Sequence, residues 1–178
     1  MAPKRPGVLI TTTHKVSENS RSFGHVLQRV IPDSKYVNRG SKNLDELLQI
    51  CQTNNLNGLV LLHSRGNRIS RMTFYELNRN QLILDQISVK FYQYIDPKIF
   101  GWKRLPGPGP LSISRESRLL FRELVDFFEK YLHLEYSKNT HIWLMLDKMA
   151  GRTYIQFVDA LTLKKFVFAQ IKLVMEEE

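Results

Sequence analysis

The chain has 178 residues, of which 43% are hydrophobic and 24% are charged, and no apolar run approaches the roughly 18 residues of a membrane-spanning helix. Its one cysteine cannot form an internal disulfide or a Cys-based metal cluster. The 26 Lys and Arg residues against 17 Asp and Glu give a net charge of +9 and a pI near 9.7, which favours a polyanionic partner such as nucleic acid.

The charge is unevenly distributed along the chain. Residues 1–100 have 14 basic and 7 acidic side chains (net +7), whereas residues 101–178 have 12 and 10 (net +2). The first half is therefore the expected contact surface for an anionic partner.

The chain opens with a strand and an amphipathic helix. Residues 8–12 are β-rich and end in hydroxyl side chains, as in a buried strand that opens into a loop. Asn19 or Ser20 is predicted to cap the following helix, and Pro32 to end it. The apolar face of that helix recurs every three or four residues, at Phe23, Val26, Leu27, Val30 and Ile31.

A second strand, a second helix and a third strand follow. The strands are predicted at residues 35–39 and 58–63, and Asn43 is predicted to cap the helix between them. Three strands that alternate with two helices predict an α/β unit with parallel pairing. The buried face of the second helix is predicted to hold Leu44, Leu47, Leu48 and Cys51.

The next segment has a different pattern. The β-rich residues 71–77 and 81–95 flank a turn at residues 78–80, which predicts a hairpin. Residues 104–112 contain three prolines and two glycines, so we expect a boundary or crossover there rather than a helix or central strand.

A helix and three strands are predicted to complete the chain. Ser114 can cap the helix, which ends near His133 and has an apolar stripe at Leu120, Leu124, Phe127, Phe128 and Tyr131. The strands are predicted at residues 141–147, 153–159 and 164–174, the first two joined by a turn at Gly151.

The loop before the first helix is rich in hydroxyls and basic residues but has no glycine. Lys15 and Arg21 stand near a helix amino terminus, where free N–H groups and the helix dipole favour an anion. The alternative is that the hydroxyls only cap the helix and the cations are solvated. The hydroxyls are those of Thr11, Thr12, Thr13, Ser17, Ser20 and Ser22. Arg39 and the group Arg65, Arg68 and Arg71 are open to the same two interpretations, and their concentration in the first half favours anion binding.

Motifs for catalysis or metal binding are not found. The sequence has no Walker-type glycine loop, no Gly-x-Ser-x-Gly elbow and no closely spaced His or Cys pair. Gly107 and Gly109 are surrounded by prolines and are interpreted as part of a rigid turn. A triad from distant residues, such as Asp147 with His141 and a serine, is not favoured by any pattern.

Three short motifs carry a resemblance to a known family. They are Arg-Ser-Phe at residues 21–23, Val-Asn-Arg-Gly at residues 37–40 and Gly-Pro-Leu-Ser at residues 109–112. In this order and spacing the sequence resembles the Brix-domain family of ribosome-assembly proteins, and is most similar to its archaeal single-domain members.

The resemblance implies a single Brix domain over residues 1–178, of the α/β class. It would have two lobes, at about 1–100 and about 114–178, joined by a linker at about 101–113. Each lobe would be similar to the anticodon-binding domain of class II aminoacyl-tRNA synthetases, with mixed sheets packed with helices and approximate two-fold symmetry.

The same resemblance implies a non-catalytic factor that binds precursor rRNA and assists rRNA processing and ribosomal subunit assembly. Other assembly proteins would be partners, with no cofactor, metal, membrane or small-molecule substrate. The location would be cytoplasmic in an archaeon and nucleolar in a eukaryote. By this resemblance Arg21 would belong to the RNA-facing basic motif, Phe23 would be its core anchor, and residues 38–40 would form the turn after the second strand. Together with the charge pattern, this predicts the RNA-binding residues Lys15, Arg21, Ser22, Asn38, Arg39, Arg65, Arg68 and Arg71.

The first loop departs from the family pattern, since His14 and Glu18 stand where arginine or another basic residue is common. Lys15 and Arg21 are therefore its main cations. Base selectivity would need unstacked nucleotides against an exposed aromatic such as Tyr36 or Tyr92. A protein-interaction scaffold with little RNA contact is the alternative function, and a small phosphate-substrate enzyme is a third.

Overall fold

The computed structural model describes residues 7–78, 81–95, 97, 99–100, 111–113, 118–119, 121–132 and 142–175. The first half contains β1 (Gly7–Thr12), α1 (Glu18–Val30), β2 (Ser34–Tyr36), α2 (Leu44–Thr53), β3 (Leu56–Arg65), β4 (Arg68–Asn78) and β5 (Gln81–Ile95). The second contains β6 (Leu111–Ile113), α3 (Arg122–Leu132), β7 (Ile142–Met149), β8 (Arg152–Asp159) and β9 (Lys165–Met175). None of the helices in these residues is long and apolar enough to cross a membrane.

All of these strands belong to one nine-stranded sheet in the order β2-β1-β3-β4-β5-β9-β8-β7-β6. β1 is parallel to both β2 and β3, which confirms the parallel α/β unit predicted for the first half. β6 is parallel to β7, and the remaining neighbours are antiparallel. The protein thus has a mixed α/β fold with a large sheet and few helices in the described residues.

The two halves of the chain meet where β5 pairs with β9. The register runs antiparallel from Ile87 opposite Met175 to Ile95 opposite Phe168, with an irregularity between Phe91 and Gln93. Both strands are predicted from the β-rich sequence, but their pairing is not, because periodicity gives no information on which distant strand is the neighbour. One continuous sheet results.

Helices cover the two faces of the sheet unequally. Buried residues of α1 and α3 join one large core with alternate residues of strands from both halves. On the opposite face α2 buries Leu47 and Cys51 against Leu9 of β1 and Leu59 of β3. Burial raises the pKa of the Cys51 thiol to about 11, so it is an unreactive core residue. The run at residues 59–62 is buried, as expected for a strand covered on both faces.

Phe23 of α1 contacts strands from both halves of the chain. Its side chain is 2% exposed, which confirms its expected role as a core anchor. Its ring centroid lies 5.5 Å from those of Phe91 and Tyr94 on β5, and 5.9 Å from that of Phe157 on β8. The contacts with Phe91 and Tyr94 are edge-to-face, a favourable arrangement for aromatic rings.

Two details of the first helix and second strand differ from the prediction. Ser17, rather than Asn19 or Ser20, caps α1, because its Oγ accepts the N–H of Ser20 and the helix therefore starts earlier. β2 ends at Tyr36 rather than at residue 39, and the chain then turns, with the N–H of Lys42 donating to the carbonyl of Arg39.

The second helix is closer to the prediction. Asn43 caps α2 in a reciprocal capping box with Glu46, as its sequence indicates. Leu44 does not share the buried face, since it is the first residue of the helix and is 41% exposed.

The second half agrees with the prediction in its strands and in the end of its helix, but not in the start of the helix. The predicted helix follows a cap at Ser114, whereas Phe121 is not helical and α3 begins at Arg122. α3 ends at Leu132, close to the predicted end, and buries Leu124 and Phe128 of the apolar stripe. β7, β8 and β9 confirm the three predicted strands, with Gly151 at φ 75° in the β7–β8 turn. β6 forms a strand within the last three residues of the predicted linker. Several predictions lie outside the described residues: Gly107, Gly109, Ser114, Leu120, His133, His141, most of the linker, and the turn at residues 79–80.

The contact between α1 and β2 leads to a stability prediction. A Cβ at Gly24 would lie 2.8 Å from Cδ2 of Tyr36, whose ring is held against His25. We expect Gly24→Ala to lower the free energy of unfolding by about 1–3 kcal/mol through overpacking. Glycine to alanine otherwise stabilises a helix interior by about 0.5–1 kcal/mol. Urea unfolding in a Tyr36→Ala background is the control, where the same change should become neutral or stabilising; a loss of similar size there would contradict the account.

Candidate nucleic-acid interface

The carboxyl ends of β1, β2 and β3 lie side by side because these neighbouring strands are parallel. The segments that follow them are residues 13–17, residues 37–43 and the β3–β4 turn, taken with its flanks as residues 64–68. We call these three segments the loop edge. They bring together four of the predicted RNA-binding cations from distant parts of the sequence: Lys15, Arg39, Arg65 and Arg68.

Most hydroxyls of the first loop hold the structure together rather than face solvent. Thr11 donates its hydroxyl to the carbonyl of Val37 at 2.7 Å. Ser17, Ser20 and Ser64 form a cluster with Oγ–Oγ distances of 2.8–3.1 Å, and the N–H of Ser17 also donates to Ser64. Thr11, Thr12, Ser17 and Ser20 are all buried. The capping interpretation is therefore correct for Ser17, and the burial of all four side chains keeps their hydroxyls from an anion in solvent.

Arg39 and His14 join the first and second segments of the loop edge. Arg39 donates from Nε to the carbonyl of Lys42 at 2.7 Å, and its Nη2 lies 3.3 Å from Nε2 of His14. With its proton on Nδ1, His14 accepts from Arg39 and donates to the carbonyl of Gly40 at 3.3 Å. Gly40 has a φ of 52°, which suits glycine at this turn. Half-buried Arg39 thus fixes the shape of the loop edge.

Lys15, Arg65 and Arg68 are the exposed cations of the loop edge. Arg65 is the direct cross-strand partner of Arg68 at the end of the β3–β4 hairpin. Like charges directly opposite each other destabilise a sheet, so an anion between or above them would relieve the repulsion. Gly66 closes the hairpin with a φ of 60° and has open space around it.

Arg21 lies on the exposed side of α1, beside the end of β2. It hydrogen-bonds to Tyr36, and the rings of Tyr36 and His25 lie 4.3 Å apart. Burial raises the pKa of Tyr36, an effect that Arg21 opposes. Burial, then Arg21 and Arg29, lower the pKa of His25, so this ring is neutral at pH 7.

Of the two aromatics considered for base stacking, Tyr36 is covered by His25 and Gly24, and Tyr92 is 50% exposed. Tyr92 is therefore the better placed of the two. The remaining predicted residues, Ser22 on α1 and Asn38 after β2, are half-buried and exposed respectively. The carbonyl of Asn38 accepts from Nζ of Lys42 at 3.2 Å.

Arg71 belongs to a row of basic residues that crosses the sheet. It lies opposite His63 of β3 and opposite Lys90 of β5, and Lys90 lies opposite Lys172 of β9. Side chains that are directly opposite on neighbouring strands project from the same face of a sheet. The residues next to these three in sequence, such as Met72, Val89 and Ile171, enter the large core, so the basic side chains project from the other face, which is the face of α2. We call Arg71, Lys90 and Lys172 the cationic row.

Lys90 and Lys172 are not among the RNA-binding residues predicted from the sequence. The alternation in Val-Lys-Phe at residues 89–91 and Ile-Lys-Leu at residues 171–173 indicates that each lysine faces away from the core. It does not indicate that the two lysines are neighbours, because this depends on the pairing of β5 with β9.

No three His, Cys, Asp or Glu side chains come together to hold a metal ion within the described part of the chain.

A pH dependence follows from His63 beside the cationic row. Burial, then Arg71, lower its pKa from an ordinary value of 6.5, while Nε2 lies 3.0 Å from Oγ1 of Thr73. Below pH 6.5 the unfolded chain takes up a proton at this position before the folded chain does, so stability is lost as the pH falls. We expect His63→Gln to retain more of its pH 8 stability than the wild type when thermal unfolding is measured near pH 5.5. An unchanged difference in melting temperature at the two pH values would exclude this role for His63.

The sequence has relatives among curated proteins, although no family model matches it. A probable Brix domain-containing ribosomal biogenesis protein of Pyrococcus horikoshii is 40% identical over 72 residues, covering 40% of this chain and 32% of that protein. The match thus spans about a third of that relative. A protein of the same name from Archaeoglobus fulgidus is 30% identical over 102 residues, covering 52% of this chain and 66% of that protein.

The fold gives a match over nearly the whole chain. The crystal structure of a probable ribosomal biogenesis protein from Aeropyrum pernix K1 superposes with a TM-score of 0.76 and 15% identity. The superposition covers 97% of this chain and 98% of that one. The superposition shows a shared fold. The homology to archaeal Brix domain-containing proteins identifies the chain as a member of the Brix-domain family.

Proposed function

We propose that this protein takes part in ribosome biogenesis by binding precursor rRNA, and that it assists rRNA processing and subunit assembly without catalysing a reaction. The names of its archaeal relatives support the ribosomal role. The observation that carries RNA binding is the loop edge, where exposed Lys15, Arg65 and Arg68 lie around a scaffold fixed by Arg39 and His14. Other ribosome-assembly proteins would be partners, in the cytoplasm of an archaeal cell.

The chemistry of the loop edge suits the phosphate backbone of a folded RNA. Arginine and lysine bind phosphate oxygens without reading base sequence, and RNA duplexes are recognised by shape and backbone. Lys15, Arg21, Arg65 and Arg68 would contact phosphates, since they are exposed. Three predicted residues are half-buried and would position the segments or lie at the edge of the RNA contact: Ser22, Arg39 and Arg71. Asn38 is exposed and would also lie at this edge.

The strand order supports a two-lobed arrangement, in which each lobe is similar to an anticodon-binding domain. From β1 to β6 the sheet reads β1-β3-β4-β5 and then β9-β8-β7-β6. The parallel pair is β1 with β3 in the first set and β6 with β7 in the second, and the other neighbours within each set are antiparallel. In chain order a helix follows the first strand of each set, α1 after β1 and α3 after β6. This order is the one that two similar lobes would give if they were related by an axis between β5 and β9.

A protein-docking scaffold is the second candidate, and one observation favours it. Trp143, Met145 and Met149 of β7 are 39–48% exposed, whereas Leu144 and Leu146 between them are buried in the core. Exposed large apolar side chains on one strand are typical of protein contacts. This role would be compatible with RNA binding at the loop edge.

Removing both arginines at the hairpin end tests the RNA-binding proposal. We expect Arg65→Gln with Arg68→Gln to weaken binding to rRNA fragments and to reduce the slope of log affinity against log salt by about 1.4–1.8, since two phosphate contacts are lost. Filter-binding titrations over a range of salt concentrations measure both quantities.

The matched control removes two positive charges away from the loop edge, with Lys35→Gln and Lys164→Gln, both at exposed positions. It should alter affinity much less. Equal losses in the two double variants would mean that net charge, rather than the loop edge, determines binding. Wild-type affinity that is independent of salt would refute the proposal altogether.

A further inference from the structure

A groove of about 720 Å³ lies in the second half of the chain, away from the loop edge. It is formed by the start of α3, the β7–β8 turn, β9 and Tyr92 of β5. Four exposed basic residues line it: Arg122, Lys148, Arg152 and Lys172. One carboxylate, Glu123, also lines it, so the charged lining has a net charge of +3. We call this the basic groove.

The cationic row and the basic groove share one residue. Lys172 belongs to both. The Nζ of Lys90 lies 5.3 Å from the ring centroid of Tyr92, which is itself part of the groove lining. Neighbouring strands are about 4.8 Å apart, so Arg71 and Lys172 are separated by roughly 10 Å of sheet. Arg71, Lys90 and Lys172 therefore form a line of basic residues across β4, β5 and β9, and the last of them also lines the groove.

This arrangement has a cost for the free protein. Lys90 and Lys172 are direct cross-strand neighbours, and like charges in such positions repel and destabilise the sheet. A polyanion laid along these two lysines would convert this repulsion into attraction. The groove adds an exposed aromatic ring at the point where the row reaches it.

We propose that the basic groove binds a single-stranded segment of RNA, with phosphates on Lys172, Arg152 and Lys148 and one base stacked on Tyr92. The inference rests on the proposed function and extends it to a second surface. A duplex hides the faces of its bases, whereas an unpaired nucleotide offers one to an aromatic side chain. The groove volume is in the range of small-molecule sites, so it fits one or two nucleotides rather than a helix.

The first test uses an oligouridine of about 12 nucleotides, within the length that single-strand-binding modules cover. We expect Lys172→Gln in the full chain to bind it about 3- to 10-fold more weakly than the wild type, with a salt slope reduced by about 0.7. The control is Lys164→Gln, the same substitution at an exposed residue just before β9 that does not line the groove. Fluorescence anisotropy of a labelled oligomer measures both.

The second test concerns the base. Tyr92→Leu should weaken binding by about 5- to 100-fold, whereas Tyr92→Phe should retain most of it because the ring remains. With an oligomer of abasic sugars and phosphates, the difference between the two variants should disappear. Melting temperatures of the variants establish that they are folded.

Each contrary outcome has a distinct meaning. Equal effects of Lys172→Gln and Lys164→Gln, or equal binding of a duplex or of a polyglutamate peptide through the same residues, would overturn the single-strand assignment. If rRNA fragments bind through Arg65 and Arg68 while the oligomer does not bind, this inference fails and the proposed function stands. If no RNA binds, both fail.

Discussion

The antiparallel pairing of β5 with β9 joins strands from opposite halves of the chain into one sheet. It allows Phe23 of α1 to pack against Phe91 on one side of the junction and Phe157 on the other. It also makes Lys90 the direct neighbour of Lys172. The same junction therefore supports the shared core on one face and aligns the basic residues on the other. Without it the chain would have two smaller sheets, and neither half would contain the whole cationic row.

The basic residues divide into those that shape the surface and those that are presented on it. Arg39 is held by the carbonyl of Lys42 and by His14, and the serine cluster holds the start of α1 against the end of β3. These contacts fix the backbone from which Lys15, Arg65 and Arg68 project. A preformed arrangement loses less conformational entropy when it binds, since the loops are already ordered.

Local sequence patterns predicted the helices and most strands correctly. Phe23, Val26 and Leu27 recur at helical spacing and are buried, and Asn43 with Glu46 forms the capping box that its sequence indicates. These features depend on neighbours within a few residues, so the sequence contains them directly. The choice of Ser17 as the cap of α1 is less local, because its hydroxyl also accepts from that of Ser64, which lies 47 residues away.

The candidate site was less predictable than the fold. Lys15, Arg39, Arg65 and Arg68 could be chosen by residue type, but their proximity depends on the parallel order of β2, β1 and β3. The four buried loop hydroxyls were indistinguishable from exposed ones, because Ser and Thr serve equally as caps and as ligands. The cationic row and the basic groove depend on strand register between β4, β5 and β9, which composition and periodicity do not determine.

We propose RNA contact at two surfaces of this protein, the loop edge and the basic groove. Ultraviolet crosslinking of the full chain to rRNA, followed by mass spectrometry of the crosslinked peptides, tests both surfaces in one experiment. We expect crosslinks in peptides that contain Lys15, residues 65–71, Tyr92 and Lys172. Crosslinks confined to peptides outside these surfaces, such as one that contains Arg29 of α1, or protein captured without any RNA, would contradict the proposal.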